Sequence, residues 1–117
     1  MSEFKHGFIK SAQAATYQMM DPLLHSIYAE FSELSKKKPQ DVLSENKVKV
    51  VNRILKPILE MLDGEPVRSF LDNFDEDDLP QNSDVILMLG QVRAAMVSFR
   101  NHHWDGRNGW HVESEED

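Results

Sequence analysis

The chain has 117 residues, a length typical of one domain and sufficient to bury a core without metal ions or disulfides. It contains no cysteine, which excludes disulfides, thiolate catalysis and zinc sites built on cysteine. Its formal net charge of −7, from 13 Lys and Arg against 20 Asp and Glu, disfavours nonspecific binding to nucleic acid or anionic membranes.

The start of the chain indicates where the protein resides. Residues Met1 to Lys10 include Glu3, Lys5 and His6 and lack the apolar core of a signal peptide. No apolar run approaches the length of a membrane span. We therefore expect a cytoplasmic protein with neither a membrane nor a nucleic acid as partner.

The first strong pattern begins at Phe8 and predicts a helix that ends at the lysines before Pro39. Asp21-Pro22 interrupts the pattern, so the segment is either two helices or one helix kinked there. Both versions bury the same predicted face: Phe8, Ala12, Ala15, Thr16, Met19 and Leu23, followed by Leu24, Ile27, Tyr28, Phe31 and Leu34.

A second helix is predicted from about Ser44 to Leu62, with Pro57 bending it or starting a new helix. Asp63-Gly64-Glu65-Pro66 then stops it. A short helix carrying Val67, Phe70, Leu71 and Phe74 is expected to follow. The predicted core residues of the second helix are Val48, Val51, Leu55, Ile58, Leu59 and Leu62.

The last helix is predicted from an N-cap at Asn82 or Ser83 to His103, and it is apolar on two sides. Such a helix has to be covered twice, either by the other helices or by a second copy of the chain. Its main stripe is Val85, Met88, Leu89, Val92, Ala95, Met96 and Phe99, and its second, narrower stripe is Ile86, Gly90, Ala94 and Val97.

These elements predict an all-α, single-domain bundle of three to five helices over residues 1–103, with kinks near Pro22 and Pro57. Residues 104–117 are expected to form a turn-rich, acidic tail, because Asp-Gly and Asn-Gly separate two tryptophans. Trp104 and Trp110 either anchor a partner or fold onto the chain's own core, and we favour the core.

No arrangement of residues predicts catalysis, and we expect no cofactor or metal ion. Glu30-x-x-Glu33 and Glu60-x-x-Asp63 satisfy the loose carboxylate pattern of all-α magnesium-dependent nucleoside triphosphate pyrophosphohydrolases. In an antiparallel pair of helices, however, Glu30 and Glu33 lie at one end of the pair, whereas Glu60 and Asp63 lie at the other. The tail contains several possible metal ligands, which are His102, His103, Asp105, His111 and Glu113. Their spacing matches no recognised pattern of zinc ligands.

Arg93 and Arg100 lie seven residues apart at the boundary between the two stripes of the last helix. If they are partly buried, each is expected to meet a carboxylate or the carbonyl groups of a helix end. The alternative is that both extend from the edge of the core to water.

The sequence as a whole therefore favours a small non-catalytic protein that acts by protein–protein interaction, as a regulator or adaptor, and forms a homodimer. An alternative is an acidic inhibitor that presents Asp72 to Asp78 and the tail to a basic partner. The predicted interface residues are Ile86, Gly90, Arg93, Ala94, Val97, Trp104 and Trp110.

Overall fold

The computed structural model describes residues 8–107 and 109–113, and this part of the chain is mostly helical. Helix α1 spans Ser11–Lys37, α2 spans Glu45–Met61, and α3 spans Asn82–His103, with a 3-10 helix at Pro66–Phe70. Strands β1 (Trp104–Asp105) and β2 (Gly109–Trp110) form a small antiparallel sheet. The all-α class is confirmed in outline. Within the described ranges, no helix is long and apolar enough to cross a membrane.

Two prolines lie inside helices without ending them. Pro22 is within α1 and Pro57 is within α2, and each helix continues past its proline. Proline has no N–H, so each helix lacks one backbone hydrogen bond at that point, while the flanking residues supply the rest of the helical pattern. The alternatives in which a new helix starts at Asp21-Pro22 or at Pro57 are therefore wrong.

The buried face of α1 differs from the predicted one over its first half. Met19 and Leu23 are exposed, while their neighbours Met20 and Leu24 are buried. The predicted face included Met19, Leu23 and Leu24 but not Met20, so it is wrong at Met19, Met20 and Leu23; both members of each pair are apolar, and the side on which α2 and α3 lie selects the second member. The buried residues of α1 are Ala14, Met20, Leu24, Ile27 and Phe31.

Helix α2 follows the sequence prediction closely and runs antiparallel to α1. The Ser44 Oγ accepts a hydrogen bond from the Lys47 backbone N–H at 3.2 Å, which caps the helix. At the other end, the Gln13 side chain donates to the Met61 carbonyl oxygen at 3.0 Å and links the start of α1 to the end of α2. All six predicted core residues of this segment are buried.

Helix α3 begins one position before the predicted caps, because Gln81 is the N-cap and its backbone N–H donates to the Asp84 side chain at 2.9 Å. The backbone N–H groups of Asn82 and Ser83 donate to carbonyl oxygens of the 38–41 loop at 2.9 and 3.0 Å. That loop therefore satisfies donors that the first turn of a helix leaves unpaired.

The segment after α3 is a β-hairpin that leads into a contact between the first and last parts of the described chain. Trp104 pairs with Trp110, and Gly109 adopts a positive φ of 77° that suits glycine in a tight turn. Ile9 then forms a parallel bridge with Val112. The sequence predicted the turns of this tail but not its strands, and its acidic end, residues 114–117, lies outside the described residues.

Candidate interaction surface on the last helix

The inner face of α3 forms the centre of the core. Leu89, Val92 and Phe99 are fully buried. The predicted main stripe is therefore confirmed, with Met88 half-buried at its edge. Tyr17 of α1 stacks near Phe99, with ring centroids 6.1 Å apart, which places α1 antiparallel to α3.

A second line of residues on α3 faces away from the core. Leu87 is 65% exposed and Val97 is 57% exposed, although both are apolar. The spacing along this line alternates between four and three residues, as in the contact seam of paired helices. We define the outer seam as Ser83, Leu87, Gly90, Ala94, Val97 and Asn101.

The outer seam contains three residues of the predicted second stripe, and it corrects the fourth. Gly90, Ala94 and Val97 lie on the seam, whereas Ile86 is half-buried and packs against the core. Leu87 takes its place as the exposed apolar residue of this turn. The 3,4 spacing from Leu87 to Val97 was the available signal for it.

The outer seam carries no charge. Between residues 85 and 99 the only charged residue is Arg93, and its guanidinium lies over the Tyr28 ring of α1, 4.5 Å from the centroid. In a chain with 28% charged residues, a helix face without charge resembles the central part of protein interfaces, where charged residues are depleted.

An apolar groove of about 440 Å³ lies beside the seam. Phe70, at the end of the 3-10 helix, forms part of its wall and is 76% exposed. The sequence predicts that the short helix carrying Phe70 packs against the core, but the Phe70 side chain itself is mostly exposed. The residues lining the groove are Val67, Phe70, Leu71, Gln91, Ala94, Ala95 and Ser98.

Arg68 holds the wall of this groove in place. Its Nε donates to the Leu59 carbonyl oxygen at 3.1 Å, and its Nη1 donates to the Leu71 carbonyl oxygen at 2.7 Å. These charge-assisted hydrogen bonds connect the end of α2 to the segment after the 3-10 helix. The groove is therefore preformed within a single chain.

Gly90 has no evident role inside the chain. A Cβ placed on it would lie 3.8 Å from Tyr28 Cε1, which is an ordinary van der Waals distance. Its φ is not positive. Glycine destabilises a helix interior by about 1 kcal/mol relative to alanine, and no contact among the described residues requires glycine at this position.

The two tryptophans have different surroundings. The Trp110 ring packs on the chain's own core, 5.0 Å from the Tyr17 ring and 6.0 Å from the Phe99 ring between centroids. Trp104 is half-buried and lies under the Arg100 guanidinium at 4.3 Å. Trp110 thus occupies the position that we favoured for it, and neither ring lies on the outer seam.

The carboxylates considered for a hydrolase site lie at opposite ends of the α1 and α2 pair. Glu30 shares a cavity wall with Lys47 at the start of α2, whereas Glu60 shares one with Ala12 at the start of α1. Across residues 8–107 and 109–113, no group of three or more His, Asp or Glu side chains is arranged to hold a metal ion.

The tail histidines are engaged with carboxylates in pairs. His103 Nε2 lies 2.9 Å from Glu65 Oε2, and His111 Nε2 lies 2.7 Å from Asp105 Oδ2. The first pair links the end of α3 to the residue before the 3-10 helix, and the second lies within the hairpin. Both geometries are those of structural contacts between elements of the fold.

Comparison with known proteins gives no family assignment. No family model, curated protein or solved structure matches this chain. The function is therefore argued from the surfaces of the molecule themselves.

Proposed function

We propose that this chain is a non-catalytic, cytoplasmic regulatory or adaptor protein that acts by binding proteins, and that it forms a homodimer through the outer seam of α3. The observation that carries this proposal is an uncharged, solvent-exposed apolar line on a helix whose other side is fully buried. We also propose that the helices of the chain form a single bundle of three to five helices.

The order of residues along the seam supports a second copy as the occupant. The seam reads nearly the same in both directions about Val92, because Leu87 and Val97 are each five residues from it, and Gly90 and Ala94 are each two. A two-fold axis at this point would pair α3 with its copy in antiparallel orientation. Leu87 would then meet Val97 of the second copy, so an apolar residue faces an apolar residue.

The ends and the centre of the seam fit the same arrangement. Ser83 and Asn101 are each nine residues from Val92, so the polar ends would face each other. Gly90 and Ala94 lie at the centre, where small side chains allow two helix backbones to approach closely. The exposed Phe70 beside Ala94 would extend the contact on either side of the helix pair.

The mass of the protein in solution tests this proposal. At micromolar concentration, light scattering after size-exclusion chromatography is expected to give about twice the 13.5 kDa of the chain. Ala94→Glu would bury a carboxylate without a partner at the centre of the seam and is expected to give a monomer. Ala15→Glu, on the exposed side of α1, is the matched control and is expected to leave the dimer intact.

Two results would count against the dimer. One is a monomeric wild-type chain at these concentrations. The other is an Ala94→Glu chain that remains dimeric while its circular dichroism shows native helix content.

A second candidate function rests on the acidic run at residues 75–78. All four side chains are exposed, and none forms an ion pair with a base among the described residues. Such a run is available to a basic protein partner, and its binding would weaken as salt screens the charges. This run is part of the Asp72 to Asp78 segment that, together with the tail, the sequence left open as the surface of an acidic inhibitor.

Retention on immobilised polylysine in a salt gradient tests the acidic run. Replacing its four acids by the corresponding amides is expected to lower the eluting salt concentration. The decrease should be larger than the one caused by removing four negative charges elsewhere on the chain. Equal shifts in the two variants would show that net charge alone acts and would remove this candidate. The control replaces the exposed helical carboxylates Glu30, Glu33, Glu60 and Asp63.

A further inference from the structure

A polar pocket of about 220 Å³ lies between α1 and α3, away from the groove beside Phe70. Its volume is below the roughly 300 to 1,000 Å³ of pockets for drug-sized ligands, so only a compact ligand fits. Two guanidinium groups contribute to its wall. The lining residues are Tyr17, Asp21, His25, Arg93, Val97, Arg100 and Asn101, of which Val97 and Asn101 also belong to the outer seam, so the pocket lies at one edge of the proposed dimer contact.

Arg93 is held in place by stacking and has unused hydrogen-bond donors. Its guanidinium lies over the Tyr28 ring, and its Nε is buried with no hydrogen-bond partner among the described residues. The sequence-based expectation that a partly buried Arg93 meets a carboxylate or helix-end carbonyls is therefore wrong. A buried donor without an acceptor is unfavourable, and an anion at the guanidinium would relieve this cost.

Arg100 lies two turns further along α3 and is exposed, but its guanidinium is also stacked on an aromatic ring. Its guanidinium lies over the Trp104 ring at 4.3 Å, and within the described part of the chain it forms no ion pair. Stacking on an aromatic ring restricts a guanidinium without occupying its N–H groups. Both arginines of the pocket are therefore positioned while their donors stay available.

Two neutral groups complete the donor set. The pKa of Tyr17 is raised, chiefly by burial and then by the Asp21 carboxylate, while Arg100 acts in the opposite direction. The phenol therefore keeps its proton at neutral pH and can donate a hydrogen bond. The Asn101 amide, which also lines the pocket, offers two further donors.

One carboxylate opposes an anion in this pocket. Asp21 lines the wall, and its Oδ1 lies 3.5 Å from His25 Nε2 on the next turn of α1. Repulsion from Asp21 lowers the affinity of the pocket for any anion, but the two guanidinium charges outweigh its single charge, so the net attraction grows with the negative charge of the ligand. This balance favours a doubly charged oxyanion over a single carboxylate.

We infer that the pocket between α1 and α3 binds a phosphate group, free or as a small monoester, through the guanidinium groups of Arg93 and Arg100. Guanidinium groups match the oxygen geometry of phosphate and donate charge-assisted hydrogen bonds to it. The Tyr17 hydroxyl and the Asn101 amide supply neutral donors from the same wall.

Titration of the wild-type chain with inorganic phosphate, followed by two-dimensional NMR, tests this inference. Saturable shifts are expected for the Arg93 and Arg100 Nε–H signals and for the amides around Val97. Glycerol 3-phosphate should shift the same signals, which would identify the phosphate group as the recognised part. Acetate should bind more weakly, and potassium chloride at matched ionic strength should leave these signals in place.

Variants assign the binding to the pocket. Arg100→Gln, at an exposed position, is expected to weaken phosphate binding about tenfold through loss of a charge-assisted hydrogen bond. Arg53→Gln removes the same charge from the exposed face of α2 and is expected to leave the affinity unchanged. Arg93→Gln should act as Arg100→Gln does, and the NMR spectrum shows whether each variant is folded.

Removal of the Asp21 charge is expected to raise the affinity for phosphate, whereas the arginine variants lower it. Asp21→Asn is expected to tighten phosphate binding several-fold, because it removes the carboxylate that lines the pocket. The inference is overturned if phosphate shifts no pocket signal at phosphate concentrations up to about ten times that of the protein, which is in the millimolar range for NMR. It is also overturned if acetate binds as well as phosphate, or if Arg53→Gln weakens binding as much as Arg100→Gln.

Discussion

Helix α3 has two apolar faces that differ in what covers them. On the inner face, large side chains such as Leu89 and Phe99 are fully buried, and Tyr17 of α1 and Trp110 of the hairpin pack against Phe99. On the outer seam, Leu87 and Val97 are mostly exposed, and small residues separate them. Apolar character alone therefore does not decide burial, which also requires a neighbouring element of the fold.

The difference between the faces has an energetic meaning. Each side chain of the inner face stabilises the folded monomer in proportion to the apolar area that it buries. The exposed side chains of the seam still present most of their apolar area to water, and contact with a second copy would bury that area. Changes on the inner face should therefore alter folding, whereas changes on the seam should mainly alter association.

The largest expected effect separates the two faces directly. Phe99→Ala removes a fully buried ring and is expected to lower the free energy of unfolding by about 3 to 5 kcal/mol. Val97→Ala, two residues away on the seam, is expected to change it by less than about 0.5 kcal/mol in the monomer. Urea denaturation in the Ala94→Glu background measures both without dimerisation. Similar losses for the two variants would contradict the distinction between the faces.

A smaller effect is expected where the hairpin covers the inner face. Trp110→Ala removes the ring that packs on Tyr17 and Phe99 and is expected to lower the free energy of unfolding by about 2 to 4 kcal/mol. Trp104→Ala, at the other strand, should cost about 1 kcal/mol, since its ring contacts the exposed Arg100 guanidinium in a cation–π pair. Thermal unfolding followed by circular dichroism gives the order, and the reverse order would contradict this role of Trp110.

Two asparagines at opposite ends of α3 allow the same comparison between a buried and an exposed polar side chain. Asn82 is buried, and its side chain donates to the Lys38 carbonyl oxygen at 2.8 Å. Asn82→Ala would leave that carbonyl without this donor and is expected to cost about 1 to 3 kcal/mol. Asn101→Ala, at an exposed position of the seam, is the control and should change stability by less than about 0.5 kcal/mol. Urea midpoints compare the two, and equal midpoints would argue against a structural role for the Asn82 bond.

The smallest expected effect concerns Gly90 and has opposite signs for folding and association. Gly90→Ala is expected to stabilise the monomer by about 0.5 to 1 kcal/mol, because the new methyl group meets only Tyr28 at an ordinary distance. The same methyl group at the centre of the seam should weaken the dimer. Urea denaturation and sedimentation velocity measure the two quantities. A more stable monomer with an unchanged dimer would place the helix contact elsewhere.

Sequence reasoning predicted the candidate surface in part. Gly90, Ala94 and Val97 were placed on one face because their spacing is helical, and the structure places them together. The groove beside them was not predictable, because its wall depends on the hydrogen bonds that Arg68 donates to the Leu59 and Leu71 carbonyl oxygens. The phosphate pocket likewise depends on aromatic rings from α1 and the hairpin, which no local pattern brings to the arginines.

The sequence by itself determined the elements whose apolar pattern has one solution. Helix α2 and the inner face of α3 follow from residues at helical spacing with polar residues between them. In α1 the adjacent pairs Met19-Met20 and Leu23-Leu24 give two solutions, and only the positions of α2 and α3 select one. Helical periodicity fixes which residues share a face, whereas burial depends on where the rest of the chain lies.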